Sequence, residues 1–209
     1  TDTGKTRRKI KDGKHTEFRC FSASQEVQYT NVYNLRKGNF DALRKMQTSD
    51  DMAYAIAHAM PDNAGIVRIH VGGDFFNFKY FLAWCKVAID NPQVLFYAYT
   101  KSLNFWLKAA KVDAIPENLV LTASRGGRLD HLIDEHNLRE SVVVYFESEA
   151  ADKGLQIDHT DELAAMPSNK NNSFALLIHG TQPKGSEAAS ALKLLRKNNV
   201  KHSYSKKPK

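Results

Sequence analysis

Along the chain, short apolar runs alternate with segments whose apolar positions recur at helical spacing. The runs "AGIVRIHV", "QVLFYAYT", "NLVLTAS", "SVVVYFES" and "SFALLIHG" are rich in β-branched and aromatic residues, which marks them as strands. Helical patterns lie between them: "FKYFLAWCKVAID" after the first, "SLNFWLKAAK" after the second and "GRLDHLIDEH" after the third. "EAASALKLLRKNN" follows the last run, and "DDMAYAIAHAM" precedes the series. Strand and helix in alternation predict βαβ units and a mainly parallel sheet, hence an α/β fold. Near-continuous apolar strands agree, because a parallel sheet is covered on both faces.

Local chemistry sets several boundaries. Pro92 cannot continue a helix and restrains Asn91, so "DNP" closes one element, and "IPEN" plays the same part before the third strand. "GLQIDHTDELAAMPSNKNN" is expected as loop and turn with one short helix at most. The segment "SQEVQYTNVYNLRKGNF" has two readings. It is an amphipathic helix with its preceding turn, with Val27, Val32 and Leu35 inward; or Gln25, Glu26, Tyr29, Asn31, Tyr33, Asn34 and Arg36 line a cleft mouth and stack on a base.

At 209 residues, 42 % hydrophobic, the chain can bury one sizeable core. No apolar run is long enough to cross a membrane and no signal-peptide core precedes the fold, so a soluble, cytoplasmic protein is expected. The charge is unevenly placed: the seven Lys and Arg from Lys193 onward, with no acid among them, match the whole formal excess of +7. Residues 1–20 add seven bases against three acids, and the body between holds four more acids than bases. The expected organisation is a basic segment over residues 1–19, one domain over 20–192 and a basic tail over 193–209. Basic ends can neutralise the phosphates of a nucleic acid, or serve only as solvated tails.

In parallel α/β folds ligands bind beyond the carboxyl ends of the strands. Those ends read "GGD", "YTKS", "ASRGGR", "ESEA" and "HGTQP", each polar or ionisable. Alternation along a strand places Arg68, His70, Gly72 and Asp74 on one face, and likewise Glu147 with Glu149. If the faces converge, His70, Asp74, Ser124, Glu147 and His179 form a set for acid–base work or for a divalent metal. Taken singly, Asp74 reads as a cap for the next helix and His70 as a hydrogen-bonded core histidine. Gly72 and Gly73 permit close backbone approach by a ligand. Ser124 and the amides near Gly126 and Gly127 can hold an anion beside Arg125 or Arg128, or simply turn the chain into a helix. Thr100 and Lys101 end the second strand, and Lys101 can meet a phosphate or carboxylate. No Walker, GxGxxG or nucleophile-elbow pattern is present.

"RIHVGGDFF", "FYAYTKSL", "ASRGGRLDHLI" and "LLIHGTQPKGS" together resemble the phage-associated gene product 88 family, over roughly Cys20 to Ser186. That family is in turn similar to the radical S-adenosylmethionine enzymes. The resemblance implies a partial (β/α) barrel with mainly parallel strands. It also implies a cluster loop, CxxxCxxC, after the first strand, and a glycine-glycine-acid motif after the second that contacts the cofactor's amino group. Gly72, Gly73 and Asp74 match that second motif, with Thr100 and Lys101 as further cofactor-side candidates. In "CFSASQEV" only Cys20 matches the cluster loop, because Ser24 and Val27 stand where thiolates are needed. A [4Fe–4S] cluster is therefore not expected from this chain, and Cys20 is a metal ligand only if one forms.

Three functions follow as expectations. The first is a phage-type accessory protein that binds S-adenosylmethionine or another small nucleoside-like ligand at the strand ends. The second is a non-enzymatic binder of nucleic acid or a host protein through the basic termini. The third is a metal-dependent hydrolase built on His70, Asp74, Glu147 and His179.

Overall fold

The five expected strands form and a sixth joins them in a computed structural model that describes residues 9–12 and 18–200. In chain order they are β1 (Ile66–Arg68), β2 (Leu95–Thr100), β3 (Leu119–Ser124), β4 (Glu140–Val144), β5 (Gln156–Ile157) and β6 (Phe174–Leu177). The helices are α1 (Phe21–Gln28), α2 (Thr30–Lys45), α3 (Ser49–Ala59), α4 (Phe78–Asp90), α5 (Leu103–Ala110), α6 (His131–Glu135), α7 (Glu147–Asp152), α8 (Glu162–Ala165) and α9 (Glu187–Lys197). Every strand pairs parallel with its neighbours in the order β1-β2-β3-β4-β6-β5, and the sheet curls into a half-barrel.

Local chemistry explains the element ends. Thr48 and Asp51 form a reciprocal capping box at the start of α3. Asn77 caps α4 by accepting the Tyr80 N–H at 2.8 Å. Asp74 is therefore not that helix's cap. Past Asp90, the Asn118 amide donates to the carbonyls of Ala88, Asn91 and Val94 at 2.9, 3.1 and 2.9 Å. That one side chain fastens the end of α4 and the turn after it to the start of β3.

Two strands are shorter than their apolar runs. β1 stops at Arg68, because the chain leaves the sheet toward Gly73, whose φ of +99° no other residue adopts cheaply. β4 stops at Val144, and Glu147 begins α7, with the Glu149 carboxylate accepting the Tyr145 N–H at 3.1 Å. Glu147 and Glu149 are thus helical, not two positions on one strand face. Leu35 is exposed on α2 rather than inward. α9 runs to Lys197, past the start of the segment expected as a tail.

The sheet is covered on both faces by different means. On the outer face Phe96, Ala98, Leu119 and Leu121 pack with Phe81 and Ala88 of α4 and Met52 of α3. Each large apolar side chain buried there contributes roughly 2 kcal/mol. On the inner face Tyr97, Val120, Phe174 and Leu176 pack against Ala164 and Ala165 of α8. The segment expected as loop with one short helix at most supplies that helix as α8, a plug that fills the half-barrel, and the edge strand β5 besides.

Arg139, 5 % exposed, locks the plug in place. Its guanidinium donates to the carbonyls of Leu163, Ala164 and Asn172 and lies over the Phe174 ring. Burial among carbonyls rather than carboxylates pushes its pKa down from the usual arginine value.

Most of the basic terminal residues invoked for nucleic-acid binding, 1–8, 13–17 and 201–209, lie outside the described residues. Among the described residues no helix is long and apolar enough to cross a membrane.

Candidate functional site at the mouth of the half-barrel

The polar strand ends do not converge on one point; they separate into distinct local networks. Asp74 ties the loop after β1 to the end of β2. Its Oδ1 accepts from the Thr100 hydroxyl and the Phe75 N–H, both at 2.7 Å, and its Oδ2 accepts the Lys101 N–H at 2.7 Å. Thr100 alternates with Phe96 and Ala98, so this knot sits above the outer face of the sheet. Three donors already satisfy the carboxylate that the resemblance assigned to a cofactor's amino group.

Lys101 and the turn after β3 form a second knot. The Lys101 ammonium donates to the carbonyls of Ser124 and Arg125 at 2.6 and 2.9 Å. Crowding lowers its pKa from the ordinary lysine value, opposed by Asp130 and Asp74 nearby. The Gly126 and Gly127 amides do hold an anion, but it is the chain's own Asp130, at 2.8 Å to each. Arg125 forks onto Glu140 and pairs with Asp134 at 2.6 Å. Those contacts raise its pKa further, the Glu140 hydrogen bond most. The anion site expected in "ASRGGR" is thus internally filled.

His70 lies in the aromatic core between Phe75, at 4.7 Å centroid to centroid, and Tyr80, whose hydroxyl is 3.2 Å from Nε2. Its Nδ1 is buried with no partner among the described residues. Burial pushes its pKa down to about 4, against a smaller raising effect of Asp74. Glu147 stands apart, at a groove beside β5. His179 lies at the mouth, its ring 5.6 Å from that of Phe21. Among the described residues no group of three His, Cys, Asp or Glu side chains is placed to hold a metal ion.

At the mouth, however, there is a cavity of about 380 Å³. Helix α1 roofs it with Phe21, Gln25 and Gln28, Tyr29 closes one side, and Arg68 and His179 come from the ends of β1 and β6. Two glycines let the roof sit down. A Cβ on Gly72 would meet Ser22 Oγ at 1.9 Å and the Arg36 guanidinium at 2.6 Å, and one on Gly180 would meet Phe21 Cβ at 3.2 Å. Arg36 then ties α2 to the roof, donating to Ser22 Oγ at 2.9 Å, Gln25 Oε1 at 2.8 Å and Glu26 Oε1 at 3.2 Å. The close approach at Gly72 is therefore made by the protein itself.

Arg68, which lines the cavity, belongs to a charge-balanced network. Asp161, in the left-handed region at φ +66°, accepts from Arg68 at 2.6 Å, from the Tyr97 hydroxyl at 3.0 Å and from the Tyr99 hydroxyl at 2.9 Å. Arg68 also donates to the His70 carbonyl at 3.1 Å and lies over the Tyr99 ring. The cation at the mouth thus arrives with its own anion. Such a site favours a ligand without large net charge and offers it aromatic faces and amide groups.

Asp161, Tyr97 and Tyr99 escaped the sequence reading, yet a signal existed. Two tyrosines at alternate positions of "LFYAYT" put two hydroxyls on one strand face, which need a buried acceptor. Gln28 and His179 at the mouth, by contrast, lie far apart in sequence and meet only through the fold.

The residues present do not fit an iron–sulfur cluster. Cys20 is exposed immediately before α1, and Ser24 and Val27 lie along that helix. Cys85 is buried in α4, where burial pushes its thiol up to about 12. One accessible thiol cannot replace the three or four that such a cluster needs.

Comparison with known proteins places the chain. The family model described as Gene product 88 matches residues 11–197. A curated relative, the Gene 88 protein of Mycobacterium phage L5, is 31% identical over 90 residues, which cover 39% of this chain and 38% of that protein. The chain thus matches well under half the length of that relative. No solved structure matches it. With the family model spanning nearly all the described residues, the chain belongs to the Gene product 88 family.

Proposed function

We propose that the protein is a phage accessory protein whose half-barrel binds a small nucleoside-like molecule in the mouth cavity, without a metal cluster. One observation carries this reading: a cavity of about 380 Å³ at the strand ends, lined by Phe21, Tyr29, Gln25, Gln28, Arg68 and His179. Its volume falls in the range of small-molecule sites, roughly 300–1,000 Å³, and it mixes apolar walls with a few convergent polar groups. Aromatic rings can stack on a base of any identity, worth about 1–3 kcal/mol each. The Gln28 amide offers both donor and acceptor for a base edge, and Gln25, whose oxygen accepts from Arg36, adds its N–H groups. Position at the carboxyl ends of parallel strands agrees with where such folds bind ligands.

The kinship to radical S-adenosylmethionine barrels belongs to this proposal too. In it the glycine-glycine-acid motif has become structural, with Asp74 closing the β1–β2 knot and Gly72 seating the roof. The metal-dependent hydrolase finds no support: His70 is in the aromatic core, Asp74 in the outer knot, Glu147 in a separate groove, and only His179 at the mouth.

The test is thermal unfolding of the full chain against a panel of nucleosides, nucleobases and S-adenosylmethionine. A ligand of the native state raises the melting temperature by mass action, by about 2.7 kcal/mol of stability at a hundredfold excess over Kd. At least one member should give a saturable rise that Gln28→Ala and Tyr29→Ala weaken tenfold or more. Both residues are exposed, so the variants should unfold where the parent does. No shift across the panel, or a shift that both variants leave untouched, refutes the proposal.

A further inference from the structure

A second concavity lies away from the mouth, along β5, the edge strand of the sheet among the described residues. It measures about 540 Å³ and is bounded by α7, β5, the turn after β5 and α8. Its wall is apolar through Ala150, Leu155, Ile157 and Leu163. Of the eleven residues lining it, three are carboxylates and none is Lys or Arg, on a chain whose formal net charge is +7.

The three carboxylates differ in what they do. Asp158 is buried and spent within the chain, accepting the Thr160 and Ala164 amides at 3.0 and 2.9 Å. Glu147 and Glu162, one from each flanking helix, are exposed, and neither makes an ion pair among the described residues. His159 also lines the groove, with its Nδ1 buried and without a partner among the described residues.

The backbone adds direction. Among the described residues β5 pairs only with β6, in register Gln156 with Phe174 and Ile157 with Ala175, and stands last in the sheet. The Asp158 N–H goes to the Ala175 carbonyl at 2.9 Å. In a parallel ladder alternate residues turn their amides to opposite sides, so the peptide groups of Ile157 face outward. Natural proteins guard such edges by keeping them very short, as this one is, or by giving them a strand to pair with.

We infer that this groove docks an extended, lysine- or arginine-bearing segment of another polypeptide. The segment lies along the outer edge of β5, sets apolar side chains against Leu155 and Ile157, and directs its cations to Glu147 and Glu162. Backbone pairing supplies the direction and the side-chain pockets supply the selectivity, as in other strand-addition sites. Charge complementarity singles out this occupant, because an acidic or a purely apolar segment would leave both glutamates without a partner.

The probe is a fluorescein-labelled seven-residue peptide of alternating lysine and valine, titrated into the full chain by fluorescence anisotropy. Its glutamate–valine counterpart is the control. The lysine peptide should bind saturably, at least tenfold tighter than the control, and weaken as salt rises. The Glu147→Lys, Glu162→Lys double variant should lose at least tenfold. Both positions are exposed, and circular dichroism of the variant checks that it folds. In amide NMR spectra the peptide should shift Ala150 to Thr160 and leave Phe21 to Tyr29 unmoved. Absence of saturable binding, equal binding of both peptides, or shifts confined to the mouth would overturn the inference. A chain ending at Val200 that binds the peptide more than tenfold tighter than the full chain would also overturn it, because the occupant would then be the chain's own terminus. The outcome is independent of nucleoside binding at the mouth.

Discussion

At the scale of single residues, His70 and Asp74 stand close in sequence and do opposite electrostatic work. His70 is held neutral: its folded pKa of about 4 lies below the ordinary histidine value of 6.5. Between those values the unfolded chain binds a proton that the folded chain refuses, so stability from this group is complete above about pH 6.5 and drains as pH falls toward 4. The loss amounts to about 2–3 kcal/mol by pH 4, and denaturant titrations of the parent and His70→Phe across that range should differ by this slope. Parallel curves would contradict the assignment. Asp74, in contrast, works as a charged acceptor for three donors. Asp74→Ala orphans them and should lower stability by about 2–3 kcal/mol by urea unfolding. Nucleoside binding at the mouth should survive that change, whereas a cofactor-contacting acid would take binding with it.

At the scale of elements, the roof helix α1 is where function and fold meet. It is seated by two glycines from loops after different strands, Gly72 and Gly180, and pinned by Arg36 from α2. At Gly180 the φ of +77° and the Phe21 contact both oppose a side chain. Gly180→Ala should therefore cost about 1–2 kcal/mol, read by urea unfolding. In hydrogen exchange, amides of Phe21 to Gln28 should lose protection while β2 and β3 keep theirs. Uniform loss across the sheet would mean that the roof is part of the core rather than a separate seat.

Elements of this kind were unequally legible in the sequence. α4 forms over "FKYFLAWCKVAID" as its periodicity predicts, because apolar spacing and an Asn cap agree. "SVVVYFES" misled, because apolar content continues through Tyr145 and Phe146 while the acids after them favour a helix N-terminus. β5 was hidden for another reason. An edge strand of two residues has no period to detect, and pairing with β6 creates it, whereas the one short helix allowed in that segment forms as α8.

At the scale of the whole molecule, the parallel order of the sheet was readable, but the convergence of its polar ends was not. Polar strand ends were predicted to share one cleft; the plug of α8 and the knots at Asp74 and Asp130 instead consume most of them internally. What remains open is the mouth, and Asp161 sets its electrostatic character by neutralising Arg68. Removing that carboxylate takes a close anion from a largely buried guanidinium, so Asp161→Ala should destabilise by about 3 kcal/mol in urea unfolding. It should also turn the mouth toward anions, so that a nucleoside monophosphate gains affinity relative to its nucleoside. An unchanged ratio would mean that Arg68 does not face the ligand.

The central claim is that a nucleoside-sized ligand lies beneath α1, and photolabelling tests it most directly. A photoreactive aryl-azide adenosine, activated on the full chain and located by peptide mass spectrometry, should label residues within Phe21 to Tyr29 or at His179 to Thr181. Excess unlabelled adenosine should suppress that labelling. Labelling that adenosine does not suppress, or that falls only outside the mouth, would contradict the account.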